Sequence, residues 1–268
     1  MSSRPSPASV AVTVAFWLVV VLTMPVLFLG ACLVFLASAP FDPARRALHA
    51  YVCGTCHAYL HVNPLWRVRV EGRERIPRGA SVLVVNHQSL ADVAACMGLH
   101  RPFKFVSKAS LFSLPIVGWS MRMLRYVRLD RGRPHSTRAM LEDCRRWLRR
   151  GMAVLMFPEG TYAPGDALLH FKPGAFLLAR DERVPLVPVL LTGTRSLVVG
   201  DSPWMAPRVD IRVRVLDPVD FPAGADPLGV ASEMRARFAR ELGRPLQAVG
   251  SAPDSGDRRR RHSPVQRE

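Results

Sequence analysis

From Pro5 to Phe41 the chain carries no charged side chain, and Val10 to Ala37 is almost continuously apolar. As a helix, that run of about 28 residues spans roughly 42 Å, against a hydrocarbon core of roughly 30 Å. Two arrangements satisfy the length: one tilted span, or a re-entrant hairpin bent at Pro25 whose halves are each too short to cross alone. Ala37-Ser38-Ala39 has the form of a signal-peptide cleavage site, but the apolar run far exceeds a normal signal core and Pro40 would follow the cut. Residues 1–40 are therefore expected to be a permanent membrane segment. Arg4 before it and Arg45 and Arg46 after it suit two ends in the cytoplasm, with the remaining chain on the cytoplasmic face of the cell membrane.

The 37 Lys+Arg against 21 Asp+Glu, a formal charge of +16, favour anionic partners: phospholipid headgroups, nucleic acid or an acidic carrier protein. Only Lys104, Lys108 and Lys172 are lysines, so much of the arginine reflects composition rather than a built patch. Five cysteines in 268 residues exclude a disulfide scaffold. Residues 41–250 are long enough for one domain with a sizeable core. Residues 251–268, rich in Pro, Gly and Ser with an Arg258–Arg261 run, read as a disordered basic tail. Ala44 to Leu60 reads as a helix, either at the headgroup level through Arg45, Arg46, Tyr51 and Tyr59 or packed on the main domain.

Trp66, Val68 and Val70 alternate with Arg67, Arg69 and Glu71, the period of a half-buried strand. Ser81–Val85, Phe103–Val106, Tyr126–Leu129, Ala153–Phe157, Leu186–Leu191 and Val209–Leu216 are further strands. Helices are expected at Leu90–Leu99, Ser136–Arg150, Gly174–Arg180 and Leu228–Leu242. Strands alternating with helices predict an α/β fold with a mostly parallel, buried sheet flanked by helices.

Two constellations sit directly after buried strands, where ligands gather in such sheets. The first is Asn86-His87-Gln88-Ser89-Leu90-Ala91-Asp92. With His87 in the loop and Asp92 in the first helical turn, the carboxylate can hold one imidazole nitrogen and leave the other to accept a proton. Ser89-x-x-Asp92 also fits a capping box, a role compatible with the first. The second constellation is Phe157-Pro158-Glu159-Gly160-Thr161, a strand-end turn able to shape an acceptor pocket. Arg131 ends another strand with a guanidinium suited to phosphate.

The order and spacing of these pieces resemble the glycerolipid acyltransferase family, which includes the 1-acyl-sn-glycerol-3-phosphate acyltransferases. Asn86, His87 and Asp92 match its Asn-His-x4-Asp motif. Lys108, Leu111, Pro115 and Gly118 resemble the stretch that follows it, and Phe157 to Thr161 match its Phe-Pro-Glu-Gly-Thr motif. Phe171-Lys172-Pro173-Gly174-Ala175-Phe176 and Val184-Pro185-Leu186-Val187-Pro188-Val189 follow in the family's order. The resemblance implies acyl transfer from acyl-CoA or acyl-carrier protein to a lysophospholipid hydroxyl, with no other cofactor. His87 is then the general base and Asp92 its orienting partner. Arg131 is the first candidate for the acceptor phosphate and Lys108 the second, with Glu159, Gly160 and Thr161 in the acceptor site. One departure bears on the acceptor. Phosphatidate-forming members usually carry Arg-Ser after the Gly-Thr, where this chain has Tyr162-Ala163, so another lysolipid or an ornithine-type acceptor is the alternative.

Rival classes rest on thinner signals. Cys53-Gly54-Thr55-Cys56-His57 is a formal match to the attachment pattern of an anchored c-type haem protein. No second Cys or His pair at ligand spacing follows, so no metal site is indicated. Arginines are densest in Arg138–Arg150 and the tail and otherwise dispersed, without the aromatic interleaving of a nucleic-acid surface.

Overall fold

The computed structural model describes residues 5–162, 165, 167–197 and 203–247; the expected tail over 251–268 lies outside them, as does Ala163. Two helices, α1 (Pro7–Ser38) and α2 (Arg46–Leu60), precede the sheet. The chain then runs β1 (Trp66–Glu71), β2 (Val82–Val85), α3 (Ala91–Met97), β3 (Phe103–Lys108), α4 (Val117–Met123) and β4 (Val127–Leu129). It continues through α5 (Pro134–Arg149), β5 (Ala153–Met156), α6 (Gly174–Glu182), β6 (Leu186–Thr192), α7 (Thr194–Leu197), β7 (Val209–Val215) and α8 (Pro227–Leu242). The strands form one sheet in the order β1-β7-β6-β2-β5-β3-β4. From β6 to β4 all five run parallel, while β1 and β7 pair parallel with each other and antiparallel to β6.

The central strands are apolar on both faces because helices cover both. Leu83, Val85 and Phe105 point into one core with α1, α2 and α3; Val82, Val84 and Val154 point into the other with α5, α6 and α8. Helix α5 buries Met140, Cys144, Trp147 and Leu148 at helical spacing. Helix α8 has the full set of end signals. Asp226 caps it by accepting from the Gly229 N–H, Pro227 opens it, and Gly243 closes it at φ 60°.

The amino terminus decides between the two arrangements left open by its length. The apolar segment is a single helix of 32 residues that runs through Pro25, not a re-entrant hairpin. Proline removes one backbone donor and favours a bend, but the domain grips α1 on both sides of it. The Thr23 and Tyr59 hydroxyls lie 3.0 Å apart, and the Tyr51 hydroxyl donates to the Leu27 carbonyl at 2.9 Å. Gly30 admits that tyrosine, since a Cβ there would collide with its hydroxyl. The grip extends in both directions: the Met205 N–H donates to Thr13, Phe16 packs on Trp66, and Arg45 stacks over Phe35. Helix α2 is accordingly a packed helix, with Leu48, His49, Cys53 and Leu60 buried between α1 and the sheet. The outer face of α1 stays uncovered, with Leu22, Val26 and Leu36 each more than 60% exposed.

Candidate active site

The parallel strands end along one edge, and the sheet order sets β2 beside β5. Their following loops are therefore neighbours. Asn86 pins the first loop to β6: its side-chain carbonyl accepts from the Leu191 N–H at 2.8 Å and its amide donates to the Leu191 carbonyl at 2.9 Å. Gln88 donates to the same carbonyl. Anchored at both sides, His87 sits in the loop and the fully buried Asp92 in the first turn of α3.

His87 Nδ1 and Asp92 Oδ2 are 2.7 Å apart. The same oxygen accepts from the backbone N–H groups of Gln88 and Ser89. Three donors converge on one carboxylate oxygen, so Asp92 both caps the helix start and holds the imidazole. With Nδ1 committed, Nε2 is the nitrogen left to exchange a proton with a ligand. The ring is clamped by Phe157, stacked at 4.1 Å and 19°, and by the edge of Tyr162 at 5.8 Å and 86°.

The second loop supports the first. Glu159 is 3% exposed; its Oε1 accepts from the His87 backbone N–H at 2.7 Å and its Oε2 from the Leu169 N–H at 3.0 Å. Burial raises its pKa, while those two N–H groups and His87 favour the anion. Gly160 adopts φ 72°, and the Lys172 side chain lies so close over it that a Cβ would meet the amine at 2.6 Å. Thr161 follows half-buried, and Tyr162 is exposed.

The two expected phosphate ligands come from farther along the same edge. Lys108 ends β3, two strand spacings from β2 or roughly 10 Å, and is exposed. Arg131 follows β4, three spacings away; burial lowers its pKa and Tyr162 acts in the opposite sense. The structure thus joins His87, Asp92, Glu159 and Gly160 directly and leaves Arg131 and Lys108 farther along the same edge. Lys172 joins them unanticipated. Its position in the Phe-Lys-Pro-Gly segment was the available signal, but only the fold lays that side chain on Gly160.

Comparison with known proteins bears on this arrangement. Residues 67–192 match the family described as Acyltransferase. A chloroplastic 1-acyl-sn-glycerol-3-phosphate acyltransferase of Arabidopsis thaliana is 33% identical over 204 residues, 75% of this chain and 56% of that protein. One from Chlamydomonas reinhardtii is 36% identical over 216 residues, 80% of this chain and 64% of that protein. In three dimensions the 1-acyl-sn-glycerophosphate acyltransferase of Thermotoga maritima superposes with a TM-score of 0.70 at 25% identity, covering 88% of this chain and 95% of that one. The chain belongs to the glycerolipid acyltransferase family. It spans between about half and two thirds of the length of the two plant and algal relatives.

The Cys-x-x-Cys-His segment of this chain packs inside the fold, and the haem reading finds no support. Cys53 is fully buried with its thiol 3.7 Å from the Met97 sulfur. Burial pushes the Cys53 thiol up to about 12 and the Cys56 thiol up to about 11, so neither is a ready nucleophile. His57 stands beside His61 and His100.

Proposed function

We propose that this protein is a membrane-bound O-acyltransferase that moves a fatty acyl group from acyl-CoA or acyl-carrier protein onto a lysophospholipid, converting 1-acyl-glycerol 3-phosphate to phosphatidic acid. The observation that carries the reading is the 2.7 Å contact of His87 Nδ1 with the buried Asp92 carboxylate at the edge where the parallel strands end. Neutral His87 donates its Nδ1–H to Asp92, and Nε2 takes the proton of the acceptor hydroxyl as that oxygen attacks the thioester carbonyl carbon. Asp92 stabilises the imidazolium that forms. Collapse of the tetrahedral intermediate breaks the C–S bond, and the thiolate leaves as a thiol with the proton from Nε2–H. The attacking hydroxyl belongs to the lipid, so no serine or cysteine nucleophile is required. Arg131, Lys108 and Lys172 supply positive charge for the acceptor phosphate.

The test is transfer from a labelled thioester to lysophosphatidic acid by the purified full-length chain. His87→Ala should lose at least about 100-fold, the lower range of general-base assistance; undiminished transfer would reject the base. Tyr162 in place of the usual arginine favours a second reading, a different lysolipid as acceptor. A panel of lysophosphatidic acid, lysophosphatidylcholine and lyso-ornithine lipid decides between them by relative kcat/KM.

The membrane seat follows from α1. Its domain contacts run from Thr13 to Phe35, roughly 33 Å of helix. A helix gripped lengthwise by its own domain does not thread the bilayer upright without dragging Tyr51, Tyr59 and Trp66 into hydrocarbon. Its uncovered face instead lies in one leaflet, holding the strand edge near a substrate that stays in the bilayer and keeping Arg45 and Arg46 on the cytoplasmic side. Leu22→Glu with Val26→Glu should abolish flotation with phospholipid vesicles.

A further inference from the structure

Glu159 is buried, yet among the described residues the two groups hydrogen-bonded to it are neutral peptide N–H donors. One of them, the Leu169 N–H, belongs to the peptide unit whose carbonyl is that of Leu168. That carbonyl accepts from Nη2 of Arg235, on α8, at 2.8 Å. Arg235 is itself only 8% exposed, and the same Nη2 donates to the Gln247 carbonyl at 2.8 Å. The peptide thus stands end-on between a guanidinium and a carboxylate: cation to carbonyl on one side, N–H to anion on the other. Hydrogen bonds aligned in this sense polarise one another.

We propose that Arg235 is a positioning residue of the active site, holding Glu159 as an anion against the His87 backbone through the Leu168–Leu169 peptide. The groups facing Glu159 are His87 and Asp92 from the first loop, Arg235 from α8, and Lys172 over the adjoining Gly160. Asp92 works against the anion; Arg235 works for it. If Glu159 is protonated, its Oε1–H or Oε2–H turns toward a peptide N–H, one of the two bonds is lost, and His87 loses a backbone anchor. Arg235 also braces the segment after α8, since Leu168 pairs with it through its N–H to Pro245 and its carbonyl from the Gln247 N–H. A brace needs only a donor. The positioning role needs the charge.

That distinction sets the experiment, which rests on the acyl-transfer reading for its kinetic arm only. Wild type, Arg235→Lys and Arg235→Gln full-length proteins, labelled with ¹³C at glutamate carboxyls, are titrated by NMR, the Glu159 signal being assigned by its loss in Glu159→Gln. Lysine keeps the charge; glutamine keeps a donor without it. The Glu159 midpoint should rise by about one pH unit in Arg235→Gln, on the scale of a lost charge partner, and stay near wild type in Arg235→Lys. In transfer assays Arg235→Gln should lower kcat about 10- to 100-fold, the scale of a small misplacement, with KM within about twofold and the acid limb of the pH profile moved upward. An unmoved Glu159 midpoint in a folded Arg235→Gln protein overturns the proposal. A wild type without transferase activity would instead overturn the proposed function, and the titration would still decide the role of Arg235.

Discussion

The two loops that meet at His87 orient their carboxylates differently. In the loop after β2 the carboxylate is satisfied within six residues, where His87, Gln88 and Ser89 all present donors to one Asp92 oxygen, and Asn86 and Gln88 tie the loop to Leu191. The loop after β5 is closed by distant chain, with Glu159 reaching Leu169 and His87, Lys172 lying on Gly160, and Arg235 standing behind the Leu168 carbonyl. The imidazole is thus oriented by a local turn, while both loops are tied to distant chain, the first through Asn86 to Leu191 and the second through the Leu168 peptide to Arg235. A change in the first loop should therefore act on catalysis outright, and changes in the second should act by degree.

The comparison breaks most simply at its strongest point. His87→Ala should cost the most, and Asp92→Asn should approach it, about 10²- to 10⁴-fold in kcat, because the amide no longer favours Nδ1–H and cannot stabilise an imidazolium. Asp92→Asn with normal kcat would reduce the first loop to a helix cap. Glu159→Gln keeps the shape of the second loop while removing its charge, and should cost about 10- to 100-fold in kcat. The same substitution tests stability against pH. Burial raises the Glu159 pKa above its ordinary value, so the folded state holds the proton more tightly than the unfolded chain. Its contribution to stability is then greatest below the unfolded pKa and is lost as pH rises through the folded value. Glu159→Gln should remove that decline, measured as Tm across pH 4 to 7.

The same contrast explains what could be read in advance. Asn-His-x4-Asp and Phe-Pro-Glu-Gly-Thr are contiguous, and each follows a strand whose unbroken apolar run marks it as buried, so both the fold class and the contact of His87 with Asp92 were legible. Arg235 was not, because it is one of many arginines on an amphipathic helix and its meaning depends on which peptide lies beneath it. The choice between one helix and a hairpin at Pro25 was equally hidden. The continuous α1 is held on either side of Pro25 by Tyr51 and Tyr59, which lie 26 and 34 residues further along the chain.

A smaller effect sharpens the second loop further. Gly160→Ala places a Cβ at positive φ and against the Lys172 amine. The backbone strain is about 1 to 3 kcal/mol, and the lysine must move aside. Tm should fall by several degrees, and KM for an anionic acceptor should rise more than kcat falls if Lys172 serves the phosphate. Equal changes for anionic and zwitterionic acceptors would confine Lys172 to packing.

The smallest expected effect is at Tyr162, where the loop meets solvent. The ring is 40% exposed and edge-on to His87. Tyr162→Arg adds a second guanidinium to the loop after β5. An exposed ion pair contributes about 0.2 to 1 kcal/mol, so the gain in kcat/KM for lysophosphatidic acid over lysophosphatidylcholine should be only about two- to fivefold, and smaller at high salt. Tyr162→Phe separates the hydroxyl from the ring: it leaves the edge contact on His87 intact, so kcat should hold while acceptor preference shifts. A Tyr162→Phe protein with reduced kcat and unchanged preference would place this residue with the base instead of the acceptor, moving the boundary between the two loops one side chain toward His87.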